Sequence, residues 1–230
     1  MKKLMEKMDL EIAKLLPKVM PCENNSRVFG ANCEAIIVNN ANNLSKIING
    51  QVLPKAGKKT IYDWACKTTM ICGFDIKSKD LDDDKYSDGG VCSVGNILQF
   101  MTKENRQLII TEIGHSKVIG SSEQREIKYV VSVPFHLLPE DIYRIENLGT
   151  GQVRFNYSIK QAVDDNKVVW NRDNKDFFDI FCKIAKEHYK RVAYIAEKER
   201  TDALYRFKNG GYKEFLWKPK KVKIKKEKKI

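Results

Sequence analysis

Two aspartates and a lysine stand at a spacing that suits metal-assisted cleavage of a phosphodiester: Asp63 within Tyr62-Asp63-Trp64, and Asp75 and Lys77 within Gly73-Phe74-Asp75-Ile76-Lys77. Residues 61–66 and 70–78 are rich in β-branched and aromatic types and are separated by the polar Lys67-Thr68-Thr69, which predicts a β-hairpin. Alternate residues of a strand share a face. One face carries Tyr62, Trp64, Cys66, Met70, Cys72, Phe74 and Ile76 and is expected to pack inward. The other carries Asp63, Lys67, Gly73, Asp75 and Lys77 and is expected to stay open. With the turn centred on Thr69, Asp63 and Asp75 each lie six residues from the centre and face one another, their Cβ atoms roughly 5 Å apart.

Like charges so placed repel, and a soluble protein tolerates them when one is protonated, when both are solvated, or when a cation lies between them. Mg²⁺ takes one or two protein carboxylates and completes its shell with waters and phosphate oxygens, which an open pair of aspartates permits. Lys77 points the same way as Asp75. Its ammonium could orient or help deprotonate the attacking water and offset charge on the phosphorane. The plainer alternative is a surface hairpin with solvated, weakly paired charges; the spacing and the partition of faces favour the site.

Asp63 followed after a short turn by Asp75-Ile76-Lys77 resembles the bipartite active-site motif of the PD-(D/E)xK nucleases, which include most type II restriction endonucleases. Tyr62 replaces the proline usual before the first aspartate. Gly30-Ala31-Asn32-Cys33-Glu34-Ala35 is similar to the start of the first core helix of these enzymes, where a glutamate faces the metal. Asp75-Ile76-Lys77-Ser78, a polar loop and Ser93-Val94-Gly95-Asn96-Ile97 resemble the blunt-cutting HincII/HpaI branch, with EcoRV more distant, and Phe135-His136-Leu137-Leu138-Pro139 falls in a similar order. The resemblance spans roughly residues 25–210. It implies an α/β (α+β) fold with a central mixed β-sheet flanked by helices. It also implies Mg²⁺ at Asp63, Asp75 and Ile76, Lys77 assisting the water, and Glu34 as a further carboxylate acting through metal or water.

Sequence recognition requires donors and acceptors at base edges. Asn96 and Gln99 have amides suited to the bidentate adenine contact, and Ser87 and Ser93 suit bases or backbone. The resemblance places a major-groove element near Ser93–Asn96; Lys79 and Lys117 join the expected DNA-binding set. For Glu112 and His115, beside a buried strand, a structural role is expected.

The net charge of +12 fits a nucleic-acid partner, but residues 218–230 hold eight lysines against Glu227, leaving +5 on the rest. That tail either grips phosphates or is a solvated end. The length and the lack of an internal linker predict one domain over 1–217, with 218–230 as the tail. No run of 18 apolar residues occurs and charge interrupts the first residues, so a soluble cytoplasmic protein is expected. Cysteines 22, 33, 66, 72, 92 and 182 show no zinc spacing with His115, His136 and His188, and reduced, mostly buried thiols are expected. Asp80, Asp82, Asp83 and Asp84 only superficially resemble a calcium loop, since Lys85 and Val91 occupy the glycine and glutamate positions.

The pattern predicts helices over 2–16 and 30–49, strands at 108–113, 129–133 and from Val153, and a long helix or broken pair from Asp176 to about Phe207. The expected function is site-specific hydrolysis of double-stranded DNA at a short palindrome by a homodimer. A DNA methyltransferase would protect the same site in the host. The rivals are another nuclease on the same scaffold, acting in repair or recombination, and a non-catalytic DNA-binding protein.

Overall fold

The central element is β5 (Arg106–Lys117), whose residues 107–115 are buried without a break. A strand covered on both faces reads as a continuous apolar run, which is what Leu108-Ile109-Ile110 begins. It lies in a six-stranded sheet with β1 (Val19–Pro21), β2 (Gln51–Val52), β3 (Trp64–Lys67), β4 (Ile71–Asp80) and β6 (Gln124–Pro134), ordered β1-β6-β5-β4-β3-β2. Only β4 and β5 run parallel, so the sheet is mixed. A parallel pair needs a crossover; α4 (Val94–Met101) lies on it. The computed structural model describes residues 1–22, 26–54, 60–83, 90–103, 106–146 and 151–208, so Ser87 and the 218–230 tail lie outside the described residues.

Helices cover both faces, giving an α+β architecture. On one side α1 (Lys2–Leu15), α2 (Ser26–Asn39) and α3 (Ala41–Ile47) bury Met8, Phe29, Ile37 and Leu44 against Phe74 and Ile109. On the other, α4, α5 (Ile159–Asp164), the β7–β8 hairpin (Tyr143–Glu146, Gln152–Phe155) and the start of α6 (Asn174–Lys208) enclose Ile97, Leu108, Val133, Phe135 and Phe177. Contacts divide the chain into two compact units, Met1–His188 and Tyr189–Ile230. The second is described only as the outer part of α6, where Tyr194 and Tyr205 are exposed. Among the described residues no helix is long and apolar enough to cross a membrane.

The helix expected over 30–49 is two helices that break at Asn40, whose Nδ2 donates to the Ile36 carbonyl at 2.8 Å. A short amide that bonds local backbone competes with the helix ladder, and here it wins. The strand expected over 108–113 extends to Lys117, and α6 is continuous. Gly114 is required where the β5–β6 register shifts, because a Cβ there would sit 2.1 Å from the Tyr129 ring.

β6 pairs with β1 only at residues 124–126, and Asp9 of α1 accepts hydrogen bonds from the main chain and hydroxyl of Ser132 farther along it. Burial pushes the Asp9 carboxyl up to about 7 from 3.8, with the Ser132 bonds opposing. The folded protein therefore holds this proton more tightly than the unfolded chain. The associated stability is full below about pH 4 and lost as pH rises through about 7. Asp9→Asn removes the penalty, which for a carboxyl moved from 3.8 to about 7 is at most about 4 kcal/mol at pH 8, and the variant should be more stable than the parent there by about half of that. Urea midpoints should converge only below about pH 4, and a constant difference across pH would contradict this.

Candidate active site

Asp63 immediately precedes β3, and the ladder beyond it pairs Trp64 with Phe74, Ala65 with Gly73, Cys66 with Cys72 and Lys67 with Ile71. The hairpin therefore turns about Thr69, as expected from the sequence. The Asp63 N–H donates to the Phe74 carbonyl at 2.8 Å, and its Oδ2 accepts from the Ile76 N–H at 2.7 Å. The side chain thus replaces the strand partner that β4 loses where β3 begins. This tie holds Asp63 beside Asp75, close enough that its charge raises the Asp75 pKa.

The face carrying these acids is not open. Asp75 is 4% exposed. Tyr62, expected beside Trp64, instead lies over Gly73 on the acid face, where an added Cβ would come within 2.7 Å of its ring. The strand begins only at Trp64, so alternation does not extend back to residue 62. Trp64 and Phe74 do share the opposite face, stacked 4.0 Å apart. Cys66 and Cys72 also face one another there, as buried free thiols.

Lys77 Nζ is 2.7 Å from Asp75 Oδ1. The other oxygen, Oδ2, is buried without a hydrogen-bond partner. Burial drives the Asp75 carboxyl up to about 7; Lys77 opposes this, while Asp63 and Glu34 add to it. Burial likewise holds Asp63 above the ordinary range, against the Ile76 hydrogen bond and Lys77. Burial acts to lower the Lys77 pKa, but Asp75, Asp63 and Glu34 outweigh it and hold it above the ordinary value. Lys77 is accordingly a charged donor. That favours orienting water and offsetting charge over accepting a proton from it.

Glu34 joins the group through α2. Gly30 brings that helix so close to β4 that a Cβ would meet Ser78 Oγ at 2.7 Å. Glu34, one turn later on the same side, acts electrostatically on both Asp75 and Lys77. The four residues Asp63, Asp75, Lys77 and Glu34 thus gather from a strand entry, a strand and a helix.

The remaining expected contacts divide. Asn96 and Gln99 are exposed on α4 and line one cavity with Tyr62, while Ser93 is the α4 N-cap, its Oγ accepting from the Asn96 N–H. Ser93 thereby satisfies a donor at the start of the helix, and its hydroxyl hydrogen stays free to donate. Lys79 lies two residues past Lys77 and acts electrostatically on Glu112. Lys117 is not brought to the centre: His115 pairs with Asp80, and Lys117 lies two residues farther on, roughly 15 Å along the strands from Lys77. Its N–H donates to Asp82 Oδ2 at 2.6 Å, beside the Arg125 pairs with Asp80 and Asp82. His115 is buried against Phe29, 4.1 Å between ring centres, and Glu112 caps α5, both structural as expected. Lys103 and Arg106, which the sequence reading did not single out, border the Asn96 cavity, and Arg106 is a cation opening a strand that is buried from 107 to 115.

Among the described residues no group of three or more His, Cys, Asp and Glu forms a ready cage for a metal. The orphaned Asp75 Oδ2 and the Asp63 oxygen not bonded to Ile76 are carboxylate oxygens, the donor type that a hard cation keeping much of its own water takes. Ile76 has a hydrocarbon side chain, buried on the α2 side, and offers a metal only its backbone carbonyl. No protein-family model matches this chain, and no curated protein matches it.

Proposed function

We propose that this protein is a Mg²⁺-dependent type II restriction endonuclease that hydrolyses both strands of a short palindromic DNA site as a homodimer, partnered in the cell by a methyltransferase of the same specificity. The observation that carries this reading is the meeting of Asp63, Asp75 and Lys77, with one Asp75 oxygen paired to the ammonium and the other lacking any hydrogen bond. A buried carboxylate left in that state is costly unless a cation completes it. Mg²⁺, when bound, would supply Lewis acidity toward a phosphoryl oxygen and a more acidic water.

The chain's own residues do the rest. Asp63, tied to the Ile76 N–H, presents its second oxygen at a fixed orientation. Asp75 orients Lys77 through the 2.7 Å pair, and the ammonium donates toward the attacking water and toward charge developing on phosphate. Glu34 adds negative potential that keeps Lys77 protonated. Exclusion of solvent around Asp75 strengthens each of these interactions.

Discrete, reproducible fragments from several sequenced plasmids with Mg²⁺ would support the assignment. Cutting confined to branched or damaged DNA would reassign the centre to repair or recombination, and binding without cutting in any divalent metal would remove the enzyme. A second expectation concerns protons. Asp75 is half-protonated near pH 7 before metal enters, so Mg²⁺ must displace a proton. Calorimetric Mg²⁺ affinity should fall up to about tenfold per pH unit below 7, and Asp75→Asn should bind too weakly at any pH in this range to show that dependence. A pH-independent affinity would contradict metal binding at Asp75.

A further inference from the structure

Arg106 opens β5 opposite Ile71, and Lys103 precedes it just after α4. Two cavities share this pair of cations. One, about 180 Å³, is bordered by Tyr62, Asn96, Gln99 and Phe100; the other, about 260 Å³, by Thr102, Gln107, Asn174 and Phe178. No described acidic residue lines either one. The Arg106 guanidinium lies 5.4 Å over the Phe100 ring, whose centre is 5.6 Å from that of Tyr62. Tyr62 is bonded to Asp63. A continuous path therefore leads from the cations across two aromatic rings to the first carboxylate of the centre.

We propose that Lys103 and Arg106 form a phosphate track that receives the sugar–phosphate backbone of duplex DNA at the end of the β4–β5 pair remote from Lys117, roughly 13 Å along the strands from Asp75. The choice of ligand rests on the nuclease reading above; the track itself rests on the charge and shape of these cavities. Cations in a concave wall that no described acidic residue lines focus potential and attract a polyanion. The arrangement divides labour. Arg106, held over Phe100, offers a planar fork of donors to phosphate oxygens. Asn96 and Gln99, on the same wall, face the strand with amides that can reach sugar or base edges. The track thus extends the DNA-binding surface from α4 toward the start of β5, away from Lys117.

The test is anisotropy of a labelled mixed-sequence duplex, without divalent metal, over a range of salt concentrations. Arg106→Met keeps an unbranched chain over Phe100 while removing charge; Lys103→Met does the same beyond α4. Each should weaken binding about tenfold and reduce the slope of log affinity against log salt by about 0.9. Arg106→Lys should restore most of the slope. Lys7→Met, on exposed α1, should leave both quantities unchanged. Melting temperatures identify variants that lose binding through unfolding, and the charge-retaining Arg106→Lys keeps the test decisive in that case. Unchanged slopes in Arg106→Met and Lys103→Met would overturn the track even if the protein cuts DNA. Reduced slopes in a protein that never cuts would uphold the track and overturn the nuclease assignment.

Discussion

Lys77→Ala is expected to lower single-turnover cleavage of duplex DNA by about a thousandfold, the scale on which one positioned donor or proton-transfer group contributes to a transition state. Duplex binding in Ca²⁺ should change by less than about threefold, since the ammonium is directed at Asp75 and the reacting centre rather than at a phosphate far from it. The variant should also fold. Removing one partner of a buried ion pair ordinarily strands the other charge, but Asp75 already holds its proton up to about pH 7, and without Lys77 it remains neutral at that pH. Asp75→Asn should be equally inactive for a different reason, loss of the proposed metal ligand. Mg²⁺ titration separates the two: Lys77→Ala retains affinity and Asp75→Asn loses it. Cleavage within tenfold of the parent by Lys77→Ala would end the assigned role.

The second large effect is on stability. Glu112, 4% exposed on β5, accepts from the Ile159 N–H at 3.0 Å, the Lys160 N–H at 3.2 Å and the Tyr129 hydroxyl at 2.9 Å. A carboxylate meeting the first N–H groups of a helix satisfies donors that have no partner within that helix. Burial raises its pKa while those hydrogen bonds oppose the shift. Glu112→Leu leaves three donors without their acceptor, at about 1–3 kcal/mol for each that stays dry, partly offset by the apolar side chain. A net loss of about 4 kcal/mol is expected, lowering Tm by about 10 °C in a chain of this size. Tyr129→Phe removes one of the bonds and should cost about 1 kcal/mol. If chemical denaturation gives Glu112→Leu less than 1 kcal/mol of destabilisation, Glu112 does not anchor α5 to the sheet.

The candidate site illustrates how far local reasoning reaches. The pairing of Trp64 with Phe74 and the turn at Thr69 were legible because hairpin register depends on alternation and turn residues a few positions apart. The partition that put Trp64, Cys66, Cys72 and Phe74 on one face was legible for the same reason. Glu34 was found only through the family resemblance, since the helix carrying it approaches β4 by a contact between Gly30 and Ser78 that no periodicity encodes. The Asn40 break was foreshadowed by its asparagine-rich neighbourhood, but its position depended on one side chain bonding the Ile36 carbonyl. Lys103 and Arg106 were overlooked because scattered surface cations look alike in sequence until a fold places them around shared cavities.

The amino-acid order by itself determined the hairpin, its two chemically distinct faces and the presence of two acids and an amine at one end of it, because strand alternation and turns are properties of neighbouring residues. Tertiary structure decided that Asp75 is sealed from water, that Lys77 keeps its proton, that Tyr62 closes over Gly73 and that Ser93 serves its helix. Burial and electrostatic potential are sums over atoms brought together from distant parts of the chain, and only the folded arrangement fixes those sums.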